Sequence, residues 1–252
     1  MSGNVAVVGL GPGPAEWMTP EAGRAIAEAS DIVGYGPYVD RLALRLDQRV
    51  HGSDNRLEME RARLALKLAE GDRRVAVVSG GDPGVFAMAA ALFEALEEKP
   101  EWLKLDIRVM PGVTAMQAAA ARLGAPLGHD FCAISLSDNL KPWTIVERRL
   151  RAACEGDFVI ALYNPASQAR PTRITHAFDL LRGAKAPTTP VAFARAVGRA
   201  DEALTLATLC DADPSLADMA TLVVVGSSET RFIARDGARP WMMTPRAYGA
   251  GR

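Results

Sequence analysis

Three glycine-rich segments have the residue types and spacing of ligand-binding turns: Gly9-Leu10-Gly11-Pro12-Gly13-Pro14, Ser79-Gly80-Gly81-Asp82-Pro83-Gly84 and Pro111-Gly112-Val113-Thr114-Ala115. Each follows a short β-branched run, so each is expected at the carboxyl end of a strand. Glycine there lets backbone approach a ligand, and such ends of a parallel sheet line one crevice. Asp82 offers a carboxylate to ligand hydroxyls or amines, and Thr114 offers a hydroxyl and an N–H. Taken singly, Asp82 also reads as a helix cap and Thr114 as a residue packed at a helix start. The coincidence of three such loops is what points to a small cofactor. A nicotinamide dinucleotide fits poorly. Position 14 is proline rather than the third glycine of GxGxxG, the helix signal waits until Thr19, and the second strand leads into Gly34-Tyr35-Gly36 rather than an acidic residue.

Charge supplies a second clue. Between Asn139 and Ala200 there are ten Lys or Arg against four acids, an excess of six positive charges in a chain of net charge −1. Arg148, Arg149 and Arg151 read as a solvated helix face. Arg170, Arg173, Arg195 and Arg199 follow strands and are the expected contacts of an acidic ligand. The overall balance gives no pull toward nucleic acid or membrane. Cys132, Cys154 and Cys210 lack CxxC spacing, and His51, His129 and His176 lack HExxH spacing, so neither a disulfide framework nor a metal is expected.

The elements that must carry these groups alternate between β-branched runs and Ala/Leu-rich stretches, the pattern of an α/β fold with a largely parallel sheet. Expected strands are 4–8, 32–33, 75–79 and 107–110, then 132–136, 158–163, 191–194, 203–207 and 222–225. Helices are expected after Thr19 as N-cap with Pro20 at the first helical position, then over 55–70, 85–96, 113–123, 143–154 and 173–181. In the 55–70 helix Leu57, Leu64 and Leu68 form the expected apolar face. Gly124, Pro126 and Gly128 mark a break, dividing residues 1–125 from 126–240, with 241–252 as a frayed tail.

With GLGPG, GGDPG and PGVTA in that order, nearly the whole chain resembles the tetrapyrrole methyltransferase family. Gly34-Tyr35-Gly36-Pro37-Tyr38-Val39-Asp40, Tyr163-Asn164-Pro165-Ala166-Ser167 and Ala194-Arg195-Ala196-Val197-Gly198-Arg199 are similar to the branch that methylates carbon 17 of a precorrin and contracts the macrocycle on the way to cobalamin. The resemblance implies a two-domain α/β fold with S-adenosylmethionine in the cleft between domains, an acidic tetrapyrrole substrate and a homodimer. It also implies cofactor contacts at Pro12, Gly80, Gly81, Asp82, Thr114, Ala115, Tyr163, Ala194 and Thr221.

Methyl transfer from a sulfonium to carbon is an in-line displacement, served by orientation and exclusion of water, so a missing Ser-His-Asp pattern is no objection. Ring contraction needs proton transfer. His129, Ser135, Asp138, Tyr163 and Asn164 are the candidates, from their loop and strand-end positions. Two rival readings are a methyltransferase for another ring carbon, such as carbon 11, and a non-catalytic tetrapyrrole-binding module. The start of the chain lacks the pattern of a secretory signal, and no run of about 18 apolar residues occurs, so a cytoplasmic protein is expected.

Overall fold

A computed structural model describes residues 3–54, 56–167 and 170–249. The chain divides into two compact units, Met1–Ala115 and Met116–Arg252.

In the first unit the elements run β1 (Asn4–Gly9), α1 (Pro20–Glu28), β2 (Asp31–Tyr35), α2 (Gly36–Val39), β3 (Arg49–Ser53), α3 (Glu58–Glu70), β4 (Arg74–Ser79), α4 (Met88–Leu96) and β5 (Asp106–Met110). The sheet order is β3-β2-β4-β1-β5, with every pairing parallel. Its central strands are apolar without alternation because both faces are covered. Val5, Val7, Val75 and Val77 pack with α3 and α4, while Val8, Ala76 and Val78 pack with α1 and α2. Thr19 caps α1 as expected, its hydroxyl accepting from Ala22 N at 3.2 Å. The apolar face of α3 is shifted from the expected one: Ala62, Ala65, Leu66 and Ala69 are buried and Leu68 packs against them, whereas Leu64 is exposed. Small alanines seat this helix directly on the sheet. Asn55 lies outside the described residues.

The second unit is entered through α5 (Ala115–Leu123) and continues with β6 (Gly124–Ala125), β7 (Phe131–Ser135), α6 (Trp143–Glu155), β8 (Val159–Tyr163), α7 (Arg173–Arg182), β9 (Pro190–Arg195), β10 (Ala203–Thr208), β11 (Thr221–Val225), β12 (Arg231–Ile233) and β13 (Trp241–Met243). Five strands form a mixed sheet in the order β10-β9-β11-β8-β7. β7 and β8 are parallel, and β11 runs antiparallel to both β8 and β9. One face, with Ile134, Ile160, Leu162, Val191, Phe193, Val223 and Val225, packs under α6 and α7. The other, with Ala161, Ala192, Ala194, Leu222 and Val224, is buried as well.

The Gly124–Asp130 break expected between domains lies inside the second unit, stitched to residues expected in the tail. β6 pairs with β13, Thr244 N donates to Ala125 O at 3.0 Å, and the Thr244 hydroxyl donates to Pro126 O at 2.6 Å. No helix among the described residues is long and apolar enough to cross a membrane.

Candidate functional site

In the first unit parallel pairing brings the ends of β1, β4 and β5 to one sheet edge, and the three glycine-rich loops follow them. These loops are joined backbone to backbone. Gly11 N donates to Gly81 O at 3.1 Å and Gly81 N to Gly11 O at 3.0 Å, both residues in the left-handed region at φ 69° and 70°. A Cβ on Gly9 would stand 2.7 Å from Gly112 N, and one on Gly112 would overlap the carbonyl oxygen of Gly81. The glycines expected to admit a ligand therefore serve first to admit one another.

Asp82 braces the same junction. Its carboxylate accepts from Gly84 N at 2.8 Å through Oδ1 and from Gly112 N at 3.0 Å through Oδ2, tying the second loop to the third. Tyr38 lies against Gly80, where a Cβ would meet its ring at 2.6 Å. On its open side Gly81 faces the third loop. A Cβ there would stand 3.8 Å from Thr114 Cα and 3.9 Å from Ala115 N, ordinary contact distances. The fold thus brings Gly80, Gly81, Thr114 and Ala115 together, with Pro12 in the adjoining loop. This chemistry, bare backbone with few charges, fits the adenosyl group of S-adenosylmethionine.

In the second unit, strand direction decides which candidates meet. β7, β8 and β9 end, and β11 begins, at the same sheet edge. Register sets Ser135 beside Tyr163, and extending it sets Tyr163 and Ala194 on either side of Leu222. Alternation puts Ser135, Tyr163 and Ala194 on the face away from α6 and α7. Thr221 and Arg195, paired with each other, project to the other face. The Thr221 hydroxyl donates to Asp218 at 2.7 Å, and Arg195 is engaged by Asp218 and Asp201, each at 2.8 Å. Its hydrogen bonds to these two carboxylates, Asp218 first, raise the Arg195 guanidinium pKa. Arg199 is exposed beyond Gly198, itself at φ 82°.

At the Ser135 edge, Asn164 Nδ2 donates to Ser135 Oγ at 3.0 Å and Ser137 N donates to the same oxygen at 3.3 Å. The Tyr163 hydroxyl accepts from Met116 N, in the first turn of α5, at 3.0 Å. Asp138 lies 2.5 Å from Arg173 Nη2 and 3.8 Å from Arg170 Nε. Lys141, not singled out among the expected contacts, joins this group by donating to Ser137 O at 2.8 Å.

His129 does not belong with the other four candidates for proton transfer. It precedes β7, and its Nε2 lies 2.8 Å from the hydroxyl of Ser227, which follows β11. Because β11 runs antiparallel to β8, both positions fall at the opposite sheet edge, His129 being six residues before Ser135, roughly 20 Å of extended chain. Burial raises the Cys132 thiol to about 11, so this cysteine stays protonated and inert.

Comparison with known proteins agrees with this geometry. The family model for tetrapyrrole (corrin/porphyrin) methylases matches residues 4–213. The chain belongs to this family. Among its members, a precorrin-3B C(17)-methyltransferase from Sinorhizobium sp is 56% identical over 249 residues, 98% of each chain. The solved structure of the methyltransferase CobJ shares 55% identity and a TM-score of 0.92, covering 97% of this chain and 100% of its own. A uroporphyrin-III C-methyltransferase from Thermus thermophilus, solved with S-adenosylhomocysteine, is 25% identical with a TM-score of 0.68, over 89% and 97% of the two chains. As a tetrapyrrole methylase, the protein is an S-adenosylmethionine-dependent C-methyltransferase.

Proposed function

We propose that this methylase transfers a methyl group from S-adenosylmethionine to carbon 17 of precorrin-3B and contracts the macrocycle to precorrin-4, a step of cobalamin biosynthesis. The observation that carries the reading is the full-length similarity to the Sinorhizobium C17 enzyme, with both the fused glycine loops and the Tyr163-Asn164 turn in place. The working form is a cytoplasmic homodimer, which light scattering on the purified protein tests.

When bound, S-adenosylmethionine supplies an electrophilic methyl group on a sulfonium. Backbone at Pro12, Gly80, Gly81, Thr114 and Ala115 and the strand ends at Tyr163, Ala194 and Thr221 are its proposed contacts, and Asp82 acts by holding the loops in register. For contraction, the candidate list narrows on hydrogen bonding. Asp138 is engaged by two arginines and Asn164 has no acidic proton, which leaves the hydroxyls of Tyr163 and Ser135. Ser135 Oγ accepts twice and is 6% exposed, so its hydroxyl hydrogen remains as a donor. We assign that hydrogen to the substrate oxygen on the carbon being extruded. Arg170 and Arg173 are proposed to face the acidic rim of the substrate.

The deciding experiment is anaerobic incubation with precorrin-3B and methyl-labelled S-adenosylmethionine, followed by mass and absorbance analysis. One label in a contracted macrocycle is expected. A macrocycle without label defeats the assignment.

A further inference from the structure

The loops beyond β7 and β8 gather three cations around one carboxylate. Arg173 and Arg170 share Asp138, and Arg170, with a side chain only 11% exposed, also donates to Leu136 O at 3.3 Å. Among the described residues, Lys141 Nζ donates to a backbone carbonyl, that of Ser137. Burial, and then the positive charge of Arg149 and Arg170, hold its ammonium below the usual lysine value. The other acid in the neighbourhood, Glu147, accepts instead from Trp143 Nε1 at 2.8 Å, while the Arg173 guanidinium lies 4.9 Å from the centre of the Trp143 ring.

The two loops also run into helix N-termini. α6 starts after Pro142 and α7 after Thr172, and neither start has a side-chain cap. Uncapped N–H groups at both starts add to the positive potential of the side chains. Leu140, 97% exposed in the same loop, presents apolar surface beside the cations. Two positive charges in excess, partly buried and flanked by two helix N-termini, call for an anion. A fork of guanidiniums with one ammonium suits a carboxylate.

We propose that Lys141, Arg170 and Arg173 form the seat for one peripheral carboxylate of the macrocycle, with Asp138 as the residue that positions the two arginines. The seat grips the segment Leu136–Asp138, one to three residues beyond Ser135, so it sets which edge of the ring lies against the Ser135 hydroxyl. Lys141 is then a determinant of substrate specificity. The identity of the carboxylate's owner rests on the function proposed above; the anion seat itself does not.

Uroporphyrin III, a macrocycle with eight carboxylates, is the probe, its binding followed by fluorescence at low salt. Lys141→Met and Arg170→Met are each expected to weaken binding about tenfold, the loss of one charge-assisted hydrogen bond. Lys141→Arg should restore it, and Arg151→Met on the exposed face of α6 should leave it unchanged. In turnover, Lys141→Met should raise KM for precorrin-3B about tenfold, an effect that 0.5 M salt reduces, with S-adenosylhomocysteine affinity unaltered. Lys141→Met lies on a turn and leaves the Asp138 pairs intact, so it tests the seat without a folding defect. Wild-type porphyrin affinity in both Met variants overturns the seat. Weakened binding in those variants, together with a wild-type protein that does not methylate precorrin-3B, upholds the seat and rejects only the assigned reaction.

Discussion

Asn164 Nδ2 donates to Ser135 Oγ across 3.0 Å, joining the ends of the parallel neighbours β8 and β7. Asn164 does this from the left-handed region, φ 51°, which asparagine tolerates better than most residues. The contact fixes the serine oxygen as an acceptor and so orients its proton. Ser135→Ala should lower turnover about 100-fold, in the usual range for loss of one positioned hydrogen-bond donor. S-adenosylhomocysteine affinity, measured calorimetrically, should stay within about twofold. Normal turnover in this variant removes Ser135 from the mechanism.

At the opposite sheet edge, His129 should be dispensable for chemistry. His129→Gln is expected to keep kcat within about twofold and to lose about 1 kcal/mol of stability with the Ser227 hydrogen bond. A hundredfold drop in kcat, with unfolding unchanged, would return His129 to the active site.

The loop junction predicts a steric effect. Gly112→Ala and Gly9→Ala drive a Cβ into neighbouring backbone and should each cost about 2–3 kcal/mol, read by urea unfolding, and abolish cofactor binding. Gly36→Ala, whose Cβ meets nothing within 4 Å, should change stability by less than about 0.5 kcal/mol.

Acid stability should depend on Asp31, fully buried at the start of β2. Burial alone would push its carboxyl up, but hydrogen bonds from His51, Arg73 and Ser30 outweigh it and hold the value below the ordinary 3.8. A carboxyl depressed in the native state stabilises the fold above the unfolded value and loses that contribution as pH falls through the native one. Asp31→Asn should therefore lower stability by about 2 kcal/mol at pH 7 and by progressively less below pH 3.8, with cofactor affinity unchanged. An equal loss at pH 3 and pH 7 contradicts this account.

What could be read in advance followed from local chemistry. Runs such as Val75–Ser79 are strands by composition, and Thr19-Pro20 is a helix start by capping, so the three loops were placed correctly at strand ends. Features that depend on strand direction or on very short elements were hidden. The site of His129 follows from β11 running antiparallel, and β6, β12 and β13 hold only two or three residues each. β3 is an edge strand of mixed polarity, and α3 buries alanines beside Leu66 while Leu64 is exposed. Arg195 looked available from charge alone, but Asp201 and Asp218 claim it. Asp82 stands out in the sequence by its carboxylate, whereas its partners are backbone groups of its own and a distant loop.

The contact of Gly9, Gly81 and Gly112 also governs how this protein tolerates change. Three stretches of chain, about a hundred residues apart at the extremes, share one point of closest approach, so none can be lengthened or stiffened alone. Substitutions at Gly9 and Gly112 spread the same junction, and their costs should combine sub-additively in a double-mutant cycle. The first enlargement carries nearly the full penalty, which makes the three positions a single unit of inheritance despite their separation along the chain.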